Sequence, residues 1–238
     1  RNIGYWLKAL FGTPATNGSG PYAHDFVSGE VNLPSLSLEV GLPDVPDYPL
    51  FTGVRANSCA FNFQRSGEAQ VTIGLIGQGE TPASSTRDAS PLEAVYSRFS
   101  QFQGSIKRAG SNLADVTAAS LTYSNNLEKI ETIRDDGKVE GIDPGMSSLS
   151  GSISVRYGDN TLMDLARAGT PIDIELAYTI DADRNLQITA HEVYLPKPKR
   201  SINGPGGIEA SYDFQGAKDA SLGKMLTITL TNDVEDYL

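Results

Sequence analysis

Histidine, cysteine and clustered carboxylates are the side chains best suited to chemistry, and this chain holds few of them in useful company. Its two histidines stand apart: His24 precedes Asp25 in a polar stretch, and His191 lies in Thr189-Ala190-His191-Glu192-Val193. A serine nucleophile needs a base beside it and, on many folds, a Gly-x-Ser-x-Gly elbow to present it; no such elbow occurs. An exposed or edge-strand imidazole is the expected state of both. The single cysteine, Cys59, cannot close an internal disulfide or join other thiolates around zinc. Asp181-Ala182-Asp183-Arg184-Asn185 opens like an EF-hand calcium loop, with Glu192 at its twelfth position. Leu186, however, stands where that loop needs glycine, and Arg184 brings a charge of the same sign as the metal. Aspartate and asparagine also favour turns, so a hairpin turn is the expectation there. Gly74-Leu75-Ile76-Gly77-Gln78-Gly79 lacks the Gly-Lys-Ser/Thr of a phosphate cradle and reads as a strand end. Lys197, Lys199 and Arg200 form the one basic cluster, either a solvated loop or a surface that pairs with an acidic patch on a neighbouring copy. No acid, base, nucleophile or metal set emerges, and the expectation is a protein without a catalytic site, cofactor or metal.

The composition narrows the classes further. With 238 residues, 39% of them hydrophobic and 20% charged, the chain can bury a sizeable core as one large β domain or two small ones. A formal net charge of −10 argues against binding nucleic acid through its phosphates, which takes clustered Lys and Arg. The same charge favours solubility and a surface past which DNA could slide without adhering. One cysteine fits folding in a reducing cytosol. No apolar run approaches the ~18 residues of a membrane helix. The opening residues 1–11 are too mixed for a signal-peptide core. The sequence also starts without methionine, which suggests that the natural N-terminus is missing or trimmed.

Period-2 alternation dominates the elements that must position any functional surface, and it marks half-buried strands. In residues 149–157, Ile153, Val155 and Tyr157 point one way while Ser152, Ser154 and Arg156 point the other. Residues 172–180, headed by Pro171, and residues 226–231 repeat the pattern. Further strands are expected at 35–40, 54–63, 69–76, 102–107, 116–124, 186–195 and 208–214, about ten in all by this periodicity. Asp159 or Asn160 could cap a helix over 161–168, with Gly169 ending it and Leu162, Leu165 and Ala166 packed on a sheet. Residues 5–10 predict a short helix or an arm. Two loops are long: 78–91, polar and interrupted by proline, and 125–147, where Asp135-Asp136-Gly137 signals a type I′ turn and a projecting hairpin. The fold class expected is all-β, mainly antiparallel, a sandwich or open barrel with one or two short helices and long protruding loops.

Four stretches carry a likeness to a known family: residues 4–12 (GYWLKALFG), residues 33–39 with 48–58, residues 116–127, and the run from Val193-Tyr194-Leu195-Pro196 to Leu230. In order and spacing the chain resembles the tail tube proteins of non-contractile, long-tailed bacteriophages. The resemblance implies a structural subunit whose inner sheet joins those of its neighbours in a hexameric ring. Stacked rings would enclose the channel for genome delivery. It further implies a virion tail protein assembled in the host cytoplasm, with tape measure, tail terminator and distal tail proteins as partners. Viral DNA would pass the lumen without specific binding, and no membrane would be involved. The expected division is an N-terminal arm or short helix at 1–20 and a single β domain at 21–238 with loops inserted at 78–91 and 125–147. Candidate inter-subunit contacts are Tyr5, Trp6, Leu7, Leu10 and Phe11 of the arm, Arg87 of the first loop, Asp135, Asp136 and Lys138 of the hairpin, and Lys197, Lys199 and Arg200. Serine- and threonine-lined strand faces, Ser152 and Ser154 with Thr227 and Thr229, are expected to contribute to the lumen. The alternative is a virion-associated β-sandwich that recognises carbohydrate or host surface. It is disfavoured because the only Trp lies near the N-terminus and no aromatic cluster falls in a loop.

Overall fold

The computed structural model describes residues 2–91, 97–113, 115–156, 158, 160–198, 200–201 (as backbone) and 208–237. Tyr157, Asp159 and Lys199, each assigned a part above, lie outside the described residues. The chain runs α1 (Asn2–Phe11), β1 (Ala15–Asn17), β2 (Tyr22–Val27), β3 (Leu36–Glu39), β4 (Leu50–Phe63), β5 (Gln70–Ile76), β6 (Gly79–Thr81), β7 (Gly104–Arg108), β8 (Ser111–Asn112) and β9 (Val116–Ser124). It continues with β10 (Glu128–Ile130), β11 (Gly141–Asp143), β12 (Ser148–Arg156), α2 (Thr161–Ala168), β13 (Ile172–Asp181), β14 (Arg184–Tyr194), β15 (Arg200–Ser201), β16 (Glu209–Ala217) and β17 (Leu226–Asn232).

Antiparallel pairing arranges these strands in two layers. One is β5-β4-β9-β12-β16, with β3 and β6 flanking the start of β4; the other is β7-β13-β14-β17-β2-β1. They join at a corner where Glu192–Tyr194 of β14 pair with Gln215–Ala217 of β16. The alternation explains the layering. Ile153 and Val155 of β12, Ile174 and Leu176 of β13, and Ile228 and Leu230 of β17 all turn into one shared core. Fully burying each such side chain contributes roughly 1.5–3 kcal/mol. Across the core, Phe63 of β4 stacks on Tyr178 of β13 at 4.4 Å. The Tyr178 hydroxyl donates to Gln101 Oε1 at 2.8 Å.

The N-terminal segment docks on its own strands as α1. Leu7, Leu10 and Phe11 are buried, Phe11 stacks on Tyr123 at 4.8 Å, and the Asn125 side chain donates to Leu10 O at 2.9 Å. The helix over 161–168 forms, with Gly169 at φ 63 closing it as expected through an N–H bond to Leu165 O; Asn160 stands at the N-cap position, but its side chain makes no cap bond. Leu162, Met163 and Ala166 are its buried residues.

Several expectations need correction. His24 is neither exposed nor on an edge: it sits fully buried in β2, a strand the polar-looking stretch concealed. Its ring nitrogens meet Thr16 Oγ1 and Val234 O at 2.9 and 2.8 Å, so the imidazole occupies a core position with its polarity satisfied. Residues 102–107 do not start as a strand. Gln101–Gln103 form a 3₁₀ turn whose capping box joins Ser100 and Gln103, and β7 begins only at Gly104. The Asp135-Asp136-Gly137 turn is not type I′, which needs positive φ at both central residues. Only Gly137 has it, at 65°. Both aspartates stay in ordinary space and the glycine absorbs the left-handed step. The Asp181–Asn185 segment is the hairpin turn between β13 and β14: Asp181 accepts from the Asp183 amide and from Arg184.

Candidate functional site

Because the inward residues of both layers are spent on the core, any function lies on the two outward faces, the strand margins and the loops. The outward face of the first layer is paved with small polar side chains set in rows by the strand register. Ser58, Ser124 and Ser148 form one row across β4, β9 and β12. Ala60, Thr122, Ser150 and Gln215 form the next, and Asn62, Ser120, Ser152 and Asp213 a third. Hydroxyls link across strands, Ser120 Oγ to Ser152 Oγ at 2.9 Å and Ser154 Oγ to Ser211 Oγ at 3.4 Å. These rows hold no Lys or Arg; Arg156, opposite Glu209, lies at one border. Small β-sheet side chains tied to one another present a flat surface with few long, mobile groups. Such a face offers nothing to grip a phosphate backbone.

The outward face of the second layer is different in kind. Thr227 lies against His191 at 2.7 Å, and the Thr229 hydroxyl donates to Asp25. Lys107 pairs with Glu175 at 3.1 Å. Burial, followed by the nearby Lys224 charge, holds the His191 imidazole below its usual pKa. The Ser152/Ser154 and Thr227/Thr229 pairs, expected on one surface, therefore belong to faces that look in opposite directions.

The remaining candidates are scattered. Of the N-terminal five, Leu7, Leu10 and Phe11 are consumed by this chain's own core, leaving Tyr5 at 51% exposure and the half-buried Trp6 at the surface. Arg87 lies in a loop tied to β3, where Glu39 accepts from the Thr86 hydroxyl and the Arg87 amide. Those two bonds hold the Glu39 carboxyl below its ordinary pKa. Asp135, Asp136 and Lys138 are exposed on the β10–β11 hairpin. Its connecting loop is braced by Arg134 pairing with both Asp136 and Glu140. That loop is tied back to the body, since the Val139 amide donates to Gln78 O and Gln78 Nε2 to Glu140 O. Lys197 is exposed and far from the hairpin in sequence. The most exposed large apolar residues are Phe102, 90% exposed on the capped turn, Ile133 in the loop of the β10–β11 hairpin and Met146 just after it. Ile133 and Met146, isolated in loops, carry no periodic signal, and Phe102 heads the stretch that the sequence predicts as a strand.

A cleft of about 1090 Å³ opens between the layers, lined by Phe61, Phe99, Tyr178, Leu186 and Leu230 and rimmed by charge. At its rim Arg184 is held by Asp181 and Arg98 by Glu68. Those carboxylates are engaged as acceptors of guanidinium hydrogen bonds. Among the described residues no group of His, Cys, Asp and Glu is placed to hold a metal.

Comparison with known proteins adds the family. A family model described as phage tail tube protein matches residues 1–216. No curated protein matches the chain. Among solved structures, the chain is similar to a subunit of the SPP1 tail tube determined by solid-state NMR and cryo-EM. The identity is 18%, the match covers 56% of this chain and 78% of that one, and the TM-score is 0.34. A likeness that distant carries no geometric detail across; the family match and this chain's own residues carry the functional reading.

Proposed function

The chain belongs to the phage tail tube protein family, a structural subunit of the virion tail that assembles with copies of itself into a tube, and from that premise we propose how it does so. Six copies close a ring, rings stack, and the hydroxyl-paved face of the first layer lines the channel through which the genome leaves. The observation that carries this reading is the face itself: three rows of serine and threonine with Ala60, Asn62, Gln215 and the anionic Asp213 among them, without a cation, on a protein of net charge −10. A polyanion sliding over it meets neither fixed positive charge nor long side chains that must be reordered. The opposite face, with its ion pair and its His191–Thr227 contact, faces outward from the tube.

In this arrangement residues 2–237 act as one domain, with α1 part of the body rather than a free arm. The protein is structural and performs no catalysis. Tyr5, Trp6, Arg87, Asp135, Asp136, Lys138 and the basic segment containing Lys197 and Arg200 serve contacts between copies within and between rings. The tape measure, tail terminator and distal tail proteins meet the tube along its bore and at its ends. Assembly takes place in the host cytoplasm.

Electron microscopy of the purified protein tests the reading: stacked six-fold rings are expected, with Ser120, Ser150 and Ser152 on the bore. Tubes with this face on their exterior would refute the lining, and a persistent monomer would refute the reading as a whole. Ser150→Arg supplies a functional check. It should leave tube formation intact while slowing DNA release in a salt-dependent way, because it installs a cation on the sliding surface.

A further inference from the structure

We propose that the outer margin of β5 is the strand to which a second copy of this chain adds its own backbone; this rests on the tail tube reading and names the edge through which copies join. A sheet edge presents unpaired amides and carbonyls, and proteins that must stay apart defend such edges with charge, proline, shortness or a cover. Most margins of this fold are defended in those ways. β2 is covered by β1, from Ala15 opposite Asp25 to Asn17 opposite Ala23. β7 is short, carries Lys107 and Arg108, and is paired at that end by β8. β3 holds four residues, and its Glu39 is occupied by the 78–91 loop. β16 is paired by β15 at its start and by β14 at its end, besides β12.

Beyond Ala69, where the chain's own Phe99 meets this margin, β5 shows none of these devices among the described residues. Its seven residues, Gln70-Val71-Thr72-Ile73-Gly74-Leu75-Ile76, contain no charge and no proline. Among the described residues the strand pairs with β4 alone. The direction of its free groups is set by its neighbour. The Ala69 amide turns away from β4 and donates to Phe99 O at 2.9 Å. Amides along a strand alternate in direction, so those of Val71 and Ile73 turn outward as well, and no described residue meets them. An uncharged, β-branched edge is a liability in a protein that stays monomeric. In one that assembles with itself it is a strand-addition site, where main-chain bonds supply the affinity. Pairing there extends the first layer beyond β5, and with it the hydroxyl face, on which Thr72 stands opposite Ala60.

A matched pair of substitutions tests this. Val71→Pro removes the outward N–H and sets a ring in the seam, while proline remains tolerable on an edge whose N–H faces away from the sheet. Val71→Ala shortens the same side chain and keeps the amide. The alanine variant should form tubes. The proline variant should remain a folded subunit, with a critical concentration for assembly raised at least about tenfold, as expected for one lost backbone bond and a blocked approach. Hydrogen exchange on the unmodified protein provides a second readout that does not depend on the variant folding. The Val71 and Ile73 amides should exchange quickly in dispersed subunits and about a hundredfold or more slowly in tubes. Equal assembly of the two variants, or equal exchange of those amides before and after assembly, overturns the assignment while leaving the tube reading intact. Failure of the unmodified protein to form tubes would instead overturn the tube reading, and this edge assignment with it.

Discussion

Gly4 and Tyr237 bring the two ends of the chain together and allow a test whose sign can be worked out beforehand. Gly4 lies in α1, and a Cβ added there would overlap the phenol ring of Tyr237, which is fully buried. That ring cannot swing aside. Tyr5 meets it edge-on at 5.1 Å, His24 at 4.9 Å, and the Asn232 side chain donates to its hydroxyl at 2.6 Å. Replacing glycine by alanine inside a helix would by itself stabilise by about 1 kcal/mol. Here the methyl group must displace the tyrosine, losing most of the roughly 3–5 kcal/mol that a buried aromatic contributes. Gly4→Ala should therefore destabilise by about 3 kcal/mol and Tyr237→Ala by about 4. In the double variant the methyl group occupies vacated space, and the helix gain reappears: adding Gly4→Ala to Tyr237→Ala should stabilise by about 1 kcal/mol. Urea unfolding can follow this through the fluorescence of Trp6, the only tryptophan, which lies on α1 itself. Protein must be kept below the concentration at which it assembles, since association shifts apparent stability. A Gly4→Ala change with the same sign in both backgrounds would refute the wedge.

Three buried or paired groups give further expected outcomes. Asn125→Ala removes one acceptor from the Tyr123 hydroxyl and the donor to the Leu10 carbonyl and should lower unfolding free energy by about 1–3 kcal/mol, read as a drop in the urea midpoint. Asp136, hydrogen-bonded by Arg134 and then by the Lys138 amide, has its carboxyl pulled down to about 2. A depressed folded-state value means that its contribution is complete above the ordinary carboxylate range and is lost as pH falls through about 2. Carbon-detected NMR should show that titration, and loosening of the hairpin loop over the same interval, with Arg134→Gln moving the midpoint upward while the Lys138 amide bond remains. Burial pushes the Cys59 thiol up to about 12, so a thiol reagent at pH 8 should label the native protein only as fast as it opens and the urea-unfolded protein at once.

How far the sequence could be read depended on whether a strand's partners shared its pattern. In β12, β13 and β17 the inward rows are aliphatic, and alternation alone placed Ile153, Ile174 and Ile228 in the core. In β2 the inward row contains His24, which breaks the apolar period. Its burial is decided by Thr16 and by Val234, the latter 210 residues away. No local pattern encodes that partner. Alternation identified Ser152 and Thr227 as non-core positions but could not say that they look in opposite directions. That depends on which layer each strand joins. The open edge of β5 was equally hidden, because Gln70–Ile76 would read the same at the centre of a sheet. Edge or centre is a property of the pairing order, and the candidate assembly surface lies mostly in that order.

The two ways in which copies could attract one another predict opposite responses to salt. Each subunit carries a net charge of −10, so bringing copies together sets like charge against like charge. At 10 Å in water each such pair costs about 0.4 kcal/mol. If backbone pairing on β5 supplies the attraction, that force is insensitive to ions, and screening removes only the repulsion. Raising ionic strength from about 0.01 M, where the Debye length is about 30 Å, to about 0.15 M, where it is about 8 Å, should then lower the critical concentration for tube formation. If the basic segment around Lys197 and Arg200 held copies together by meeting an acidic surface, the same salt would weaken the contact and raise that concentration. Sedimentation of tubes across a salt series separates the two. A critical concentration that climbs with salt would move the seam from an uncharged strand edge to a charged loop.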